Sequence, residues 1–224
     1  TLTGTAAAAN TAYASSGITG LGNEAVTLSD TSLATTVLNT LDGNTTGAVN
    51  AATVTTLTGT AATANTAYAS NGITGLGDEA VTLSDTSLSL SVLNLLDGNT
   101  TGKVNASTVT TLTGAAAEAN TAYSSNNALN NGLTGLGNEA VTINDTSLAA
   151  SVLNTLDGNT TGAVNAATVT TLTGTAATAN TAYASSGISG LGNEAVTLSD
   201  TSLATTVLNT LDGNTTGAVN AATV

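Results

Sequence analysis

The side chains able to do acid–base or nucleophilic work in this chain form a short list. It has no histidine and no cysteine, one cation (Lys103), four tyrosines and fourteen carboxylates. Proton transfer would fall to carboxylates and phenols. Serine and threonine are abundant, yet no imidazole is present to activate one, and the lysine occurs only once. Two carboxylates meeting across a cleft could hydrolyse a glycoside, but nothing in their spacing selects a pair. The acids recur evenly, so the expectation is that the chain is not an enzyme and has no catalytic residue.

Those acids fall into columns: Glu24, Glu79, Glu139 and Glu194; Asp30, Asp85, Asp145 and Asp200; Asp42, Asp97, Asp157 and Asp212; with Asp78 and Glu118 beside them. The Asp30 column precedes an apolar periodic stretch and reads as helix N-caps, where negative charge is favoured. The Asp42 column falls near a predicted helix C-terminus, where the dipole opposes an anion. Its context, Leu41-Asp42-Gly43-Asn44-Thr45-Thr46-Gly47, offers carboxylate, amide and hydroxyl oxygens of the kind Ca²⁺ accepts. Asp42, Asp97, Asp157 and Asp212 are therefore the candidate metal ligands, with calcium as the one cofactor to consider. The segment matches neither the EF-hand loop nor the nonapeptide calcium repeat, and an ordinary polar turn explains it as well.

Three further patterns have structural explanations. Gly72-Ile-Thr-Gly75-Leu-Gly77 lacks the order and following helix of a dinucleotide fingerprint and reads as tight turns. Asn44, Asn99, Asn159 and Asn214 open glycosylation sequons, which carry meaning only in a eukaryotic secretory protein. Thr-rich strands could present a flat hydroxyl ladder of the kind found on ice-binding solenoids, but the Thr-x-Thr rank is incomplete.

The elements that must position these groups are set by repetition. Thr-Leu-Thr-Gly recurs at Thr1, Thr56, Thr111 and Thr171, at spacings of 55, 55 and 60 residues. The repeat units are thus 1–55, 56–110, 111–170 with a five-residue insertion, and 171–224. A fixed long period marks an array in which units touch mainly their sequence neighbours. Both chain ends fall inside the repeat, as expected for part of a longer array.

Each unit divides into two coils, opened by Leu2, Leu28, Leu57, Leu83, Leu112, Ile143, Leu172 and Leu198 and 26 to 31 residues long. Thr53–Leu57 and Ala80–Leu83 alternate and are β-branched, as strands are. Further extended stretches are expected near Ala48–Val49 and Ile73–Leu76. One helix is expected to start after Asp30-Thr31-Ser32, carry Leu33, Val37, Leu38 and Leu41, and stop at Gly43 as a C′ glycine. A second runs from Ala61 to Gly72. The predicted fold is a repeat solenoid whose coils each pair a short β-strand with a short α-helix; the alternative is an all-β solenoid. Strands stack at about 4.8 Å and helices at about 8–10 Å, so such a stack must curve, twist or alternate its helices. The insertion, Ser124–Gly132, is expected as an outward bulge between helix and strand.

Composition sets the outer bounds. Fourteen acids against one cation give a formal charge of −13. That excludes binding to phosphate backbones and to anionic membrane surfaces. Hydrophobic residues make up 41% of the chain, mostly Ala, Val and Leu, with Tyr as the only aromatic. The core must be thin and built from small contacts. No apolar run reaches membrane-spanning length, so no membrane insertion is expected.

Residues 17–30, Gly-Ile-Thr-Gly-Leu-Gly-Asn-Glu-Ala-Val-Thr-Leu-Ser-Asp, and 54–62, Val-Thr-Thr-Leu-Thr-Gly-Thr-Ala-Ala, resemble repeats of giant secreted or cell-surface proteins of marine cyanobacteria. The resemblance covers the whole chain. It implies an extracellular array used as a structural scaffold, spacer or filament, with neighbouring copies of the repeat as partners. The alternative it leaves open is an adhesin stalk or calcium-responsive module using the acidic columns.

Overall fold

The computed structural model describes residues 1–126 and 131–224. Each repeat builds two kinds of helix. The alanine-rich kind comprises α1 (Ala6–Ala14), α3 (Ala61–Ala69), α5 (Ala116–Ser125) and α7 (Ala176–Ala184); the leucine-bearing kind comprises α2 (Thr35–Asn44), α4 (Leu90–Asn99), α6 (Ala150–Asn159) and α8 (Thr205–Asn214). Alanine has the highest helix propensity, and Thr5, Thr60 and Thr175 cap α1, α3 and α7, each hydroxyl accepting an N–H three residues on at 3.2 Å. Helices this short are marginal alone. They are held by packing, through Ala61, Ala64 and Ala67 on α3 and through Leu38 and Leu41 on α2, all essentially inaccessible.

The chain separates into two compact units. The first holds two open parallel sheets. One orders β1 (Leu2–Gly4), β2 (Val26–Leu28), β4 (Val49–Asn50) and β6 (Ile73–Thr74); the other orders β3 (Ser32–Ala34), β5 (Thr56–Gly59), β7 (Ala80–Leu83), β9 (Lys103–Asn105) and β11 (Gly132–Thr134). The second unit holds two more. One runs β8 (Ser87–Ser89), β10 (Thr111–Gly114), β12 (Ala140–Ile143), β14 (Val164–Asn165) and β16 (Ile188–Ser189). The other runs β13 (Ser147–Ala149), β15 (Thr171–Gly174), β17 (Ala195–Leu198) and β18 (Val219–Asn220).

Alternation fixes the register. Val26 and Leu28 are buried while Thr27 between them is exposed, and slipping one residue would exchange the two faces. Along one sheet Leu33 stacks on Leu57, Leu57 on Val81 and Val81 on Val104. Partners are thus 24, 24 and 23 residues apart, not the 26 and 29 of the predicted coils. The chain steps to a new sheet at each Ser-Leu-Ala or Ser-Leu-Ser strand, after a connection of three residues.

Three expectations are corrected here. Helices occupy the Ala/Thr runs, which removes the all-β alternative. Leu33 belongs to a strand, β3, and α2 begins only at Thr35. Asp42 and Gly43 lie inside α2, which runs to Asn44, so Gly43 is no C′ glycine. The second repeat contributes five strands (β5 to β9) and two helices (α3 and α4). Those strands are shared among three sheets, β5, β7 and β9 in one and β6 and β8 in two others. In the third repeat α5 ends at Ser125 and β11 opens at Gly132. The insertion between them includes residues 127–130, which lie outside the described residues.

Candidate functional site

The acidic columns are engaged alike in most repeats, with departures at Glu24 and Asp212. The Asp30 column caps helices, as its residue type predicts, but not the helices that follow it. Asp30, Asp85, Asp145 and Asp200 accept the first helical N–H of α1, α3, α5 and α7, from Ala6, Ala61, Ala116 and Ala176, at 2.7–2.8 Å. The capped helix lies 24 residues earlier in sequence (29 in the third repeat). Strand β3 intervenes between Asp30 and α2, and carries the aspartate away from the helix it precedes. In the third repeat Ala115 replaces the Thr cap, and Glu118 accepts the Ala115 N–H at 3.1 Å instead, half of a capping box.

The glutamate column makes the most enclosed polar cluster. Glu79, Glu139 and Glu194 have no accessible surface. One carboxylate oxygen of each accepts two bonds: from the N–H of Gly77, Gly137 or Gly192 at 2.8–2.9 Å, and from the hydroxyl of Tyr68, Tyr123 or Tyr183 at 2.9–3.0 Å. The other oxygen, Oε1, is buried with no partner in all three. A threonine closes the cluster: Thr100, Thr160 and Thr215 donate to the glutamate backbone carbonyl at 2.7–2.8 Å. Gly102, Gly162 and Gly217 pack so close to that same peptide that a Cβ would overlap its backbone.

Burial pushes the Tyr68 and Tyr123 hydroxyls well above the ordinary phenol range. The neighbouring Thr hydroxyls oppose this, and the Glu79 and Glu139 charges reinforce it. Tyr183 is pushed up to about 12 for the same reasons. In the first repeat the cluster is looser: Tyr13 donates to Glu24 at 3.3 Å, and the Gly22 N–H leads in holding the Glu24 carboxyl below its usual range.

The candidate metal ligands are placed differently from the expectation of a calcium turn. Asp42, Asp97 and Asp157 lie in the last turn of α2, α4 and α6, and each accepts a serine hydroxyl, from Ser70, Ser125 and Ser185, at 2.6–2.7 Å. That bond offsets the unfavourable placement of an anion at a helix C-terminus. Asp212 on α8 is exposed. The other oxygens of the segment are directed elsewhere. Asn44 Nδ2 donates to Asn10 Oδ1 at 2.9 Å, and Thr45 donates to the Glu24 carbonyl while accepting the Gly47 N–H. They do not converge on a common point. Among the described residues no group of three or more acidic, His or Cys side chains could hold a metal ion.

The sequon asparagines are likewise engaged. Asn44, Asn99, Asn159 and Asn214 each donate to a partner asparagine on the alanine-rich helix, at 2.9–3.0 Å. That partner (Asn10, Asn65, Asn120 or Asn180) donates in turn to a backbone carbonyl of the neighbouring leucine helix. The glycine loop read as tight turns holds the buried carboxylate: Gly75, at φ +83, packs against the Ala52 backbone, and Gly77 supplies the N–H to Glu79. The outward rank of the first sheet reads Thr3, Thr27, Asn50, Thr74, all exposed, so its hydroxyl ladder is broken by an amide.

The Tyr–Glu pairing is the feature that sequence reasoning missed. A signal was present: the two residues are 11 apart in three repeats and 16 apart in the third, so the insertion sits between them and leaves the bond intact. No protein-family model, curated protein or solved structure matches the chain.

Proposed function

We propose that this chain is a structural, extracellular repeat scaffold, a stiff spacer or filament-forming surface protein whose strand–helix units stack as one solenoid. The observation that carries this is the use made of its polar side chains. Asp30, Asp42, Glu79, Asn10 and their counterparts, the exposed Asp212 apart, each bond to an element from a different part of the repeat. The chemistry that recurs is mechanical: caps, staples and helix ties. Resemblance to secreted cyanobacterial repeats supplies the location and the partners, neighbouring copies of the repeat. With so many polar groups committed to cohesion and a single Lys or Arg in 224 residues, the chain suits persistence outside the cell, without catalysis.

Prolonged exposure to a protease of broad specificity tests this. Ala, Leu and Thr offer cutting sites throughout, so only folding can protect them. Survival of the intact fragment is the expected outcome. Rapid digestion to small peptides would show an open chain and overturn the scaffold assignment.

A further inference from the structure

The serine that ties α3 to the aspartate of α2 also holds a backbone amide. The Ser70 hydroxyl donates to Asp42 Oδ2 at 2.7 Å and accepts the Gly72 N–H at 3.0 Å. These three groups form a line along which a proton can pass, from the Gly72 amide through the Ser70 oxygen to the carboxylate. Gly72 is fixed within it. Its carbonyl accepts the Val49 N–H at 2.8 Å, and a Cβ at Gly72 would overlap Asp42 Oδ1. The same line recurs at α7, where Ser185 donates to Asp157 at 2.7 Å and accepts the Gly187 N–H at 3.0 Å.

What differs is the residue before the glycine. It is Asn71 in the second repeat, but Ser16 and Ser186 in the first and fourth. Asn71 is exposed and lies outside both α3 and β6. In an Asn-Gly pair the glycine nitrogen can close a five-membered ring on the asparagine side-chain carbonyl carbon, with no Cβ on the glycine to obstruct the approach. The other Asn-Gly pair, Asn131-Gly132, lacks the line: there the Ser125 hydroxyl accepts the Leu133 N–H, at 3.4 Å. Asp42-Gly43, Asp97-Gly98, Asp157-Gly158 and Asp212-Gly213 could cyclise in a similar way. All four lie within helices, where a backbone N–H is held by the carbonyl four residues back.

We propose that Asn71 is a self-modifying site, converted through a succinimide to aspartate and isoaspartate, with Ser70 and Asp42 as its built-in base. The Gly72 nitrogen bonds to Asn71 Cγ as its proton moves to Ser70 Oγ and the Ser70 proton moves to Asp42 Oδ2. The Cγ–Nδ2 bond then breaks. Nδ2 leaves as ammonia, taking up a proton in place of the one Asp42 received. Water adds to either carbonyl of the ring and opens it to aspartate or isoaspartate, with no change of oxidation state. Ser70 touches the reacting N–H, and Asp42 acts through Ser70 as a positioning residue. The product adds a negative charge to the turn between α3 and β6, and its isoaspartyl form lengthens the main chain there by one carbon.

Incubation of the 224-residue chain at neutral pH, followed by mass mapping of its peptides and chromatographic separation of the two products, tests this. Conversion at residue 71 is expected. Ser70→Ala and Asp42→Asn should each slow it roughly a hundredfold, the low end of what a positioned base contributes. Asp42→Asn still offers the Ser70 hydroxyl an acceptor but cannot take its proton, so a purely structural tie would leave the rate unchanged. Ser70→Thr keeps the hydroxyl and should keep the rate. Ser186→Asn supplies the missing amide beside the Ser185–Asp157 line, and should create a second reactive site of similar rate. Ser186 is exposed, so this variant keeps the test open if circular dichroism shows that the others do not fold. An unconverted residue 71, a rate indifferent to both Ser70→Ala and Asp42→Asn, or no conversion at residue 186 in Ser186→Asn overturns the proposal.

Discussion

Replacing Tyr68 by Phe tests how the buried glutamate is kept inside. Glu79 has no accessible surface and, among the described residues, its Oε1 has no partner while its Oε2 accepts the Tyr68 hydroxyl and the Gly77 N–H. Phenylalanine preserves the ring packing and deletes one of those two bonds. A hydrogen bond to a charged group contributes about 1.5–3 kcal/mol, so Tyr68→Phe should cost roughly 2 kcal/mol. For a chain of this size that lowers Tm by roughly 4–8 °C. Tyr13→Phe is the internal control. Its bond to Glu24 is longer, 3.3 Å, and Glu24 is not buried, so its shift should be well under half as large. The assay is thermal and urea unfolding of both variants at neutral pH. Alkaline titration gives a second readout. The folded Tyr68 holds its proton more tightly than the unfolded residue, so its contribution is fully present below pH 10 and is lost as pH rises above that. Tyr183 behaves likewise between pH 10 and about 12. Tyr68→Phe should therefore narrow the stability gap between neutral and alkaline pH. Equal shifts for Tyr13→Phe and Tyr68→Phe, with unchanged alkaline sensitivity, would refute the assignment of Tyr68 as the partner that keeps Glu79 buried.

Asp85→Ala should cost about 1 kcal/mol, the usual loss for a helix cap, and should raise amide exchange at Ala61 on α3; faster exchange in α4 alone would contradict the cross-coil cap. Gly102→Ala should destabilise the chain, because its Cβ would overlap the Glu79 backbone. Gly98→Ala, with open space around it in α4, should instead stabilise by about 0.5–1 kcal/mol; unfolding midpoints that move together would show that the close approach is not what requires Gly102. Chelator treatment should leave circular dichroism and melting unchanged, since Asp42, Asp97 and Asp157 are bonded to serines; a drop in melting temperature would return these columns to a cation-binding role.

How far the sequence could be read follows from what is local and what is not. The two helices per repeat and the strand at Ala80–Leu83 rest on spacing and β-branching visible within one repeat, and the period on comparing repeats; the strand expected at Thr53–Leu57 begins three residues later, at Thr56–Gly59. The strand Ser32–Ala34 was not legible, because Ser-Leu-Ala before Val37, Leu38 and Leu41 continues a helical spacing. Only pairing with β5 gives Leu33 a sheet partner. Asp30 was recognised as a cap from its type, but its helix lies 24 residues back, a separation no local rule reaches. Asp42 misled for a related reason. Asp-Gly-Asn reads as a turn, whereas the Ser70 hydroxyl and the Asn10–Asn44 tie hold those residues in the last turn of α2. The Tyr–Glu cluster was open to detection from the constant spacing of two scarce residue types, but burial of a carboxylate is not something composition suggests.

The most direct test of the account compares chains of one, two and four repeat units, melted under identical conditions. If each unit owes much of its stability to the strands, caps and asparagine ties of its neighbours, melting temperature rises from one unit to two and again to four, and a single unit is scarcely folded. Equal melting temperatures across the series would mean that the units are independent domains, and the account of a mutually supported array would be wrong.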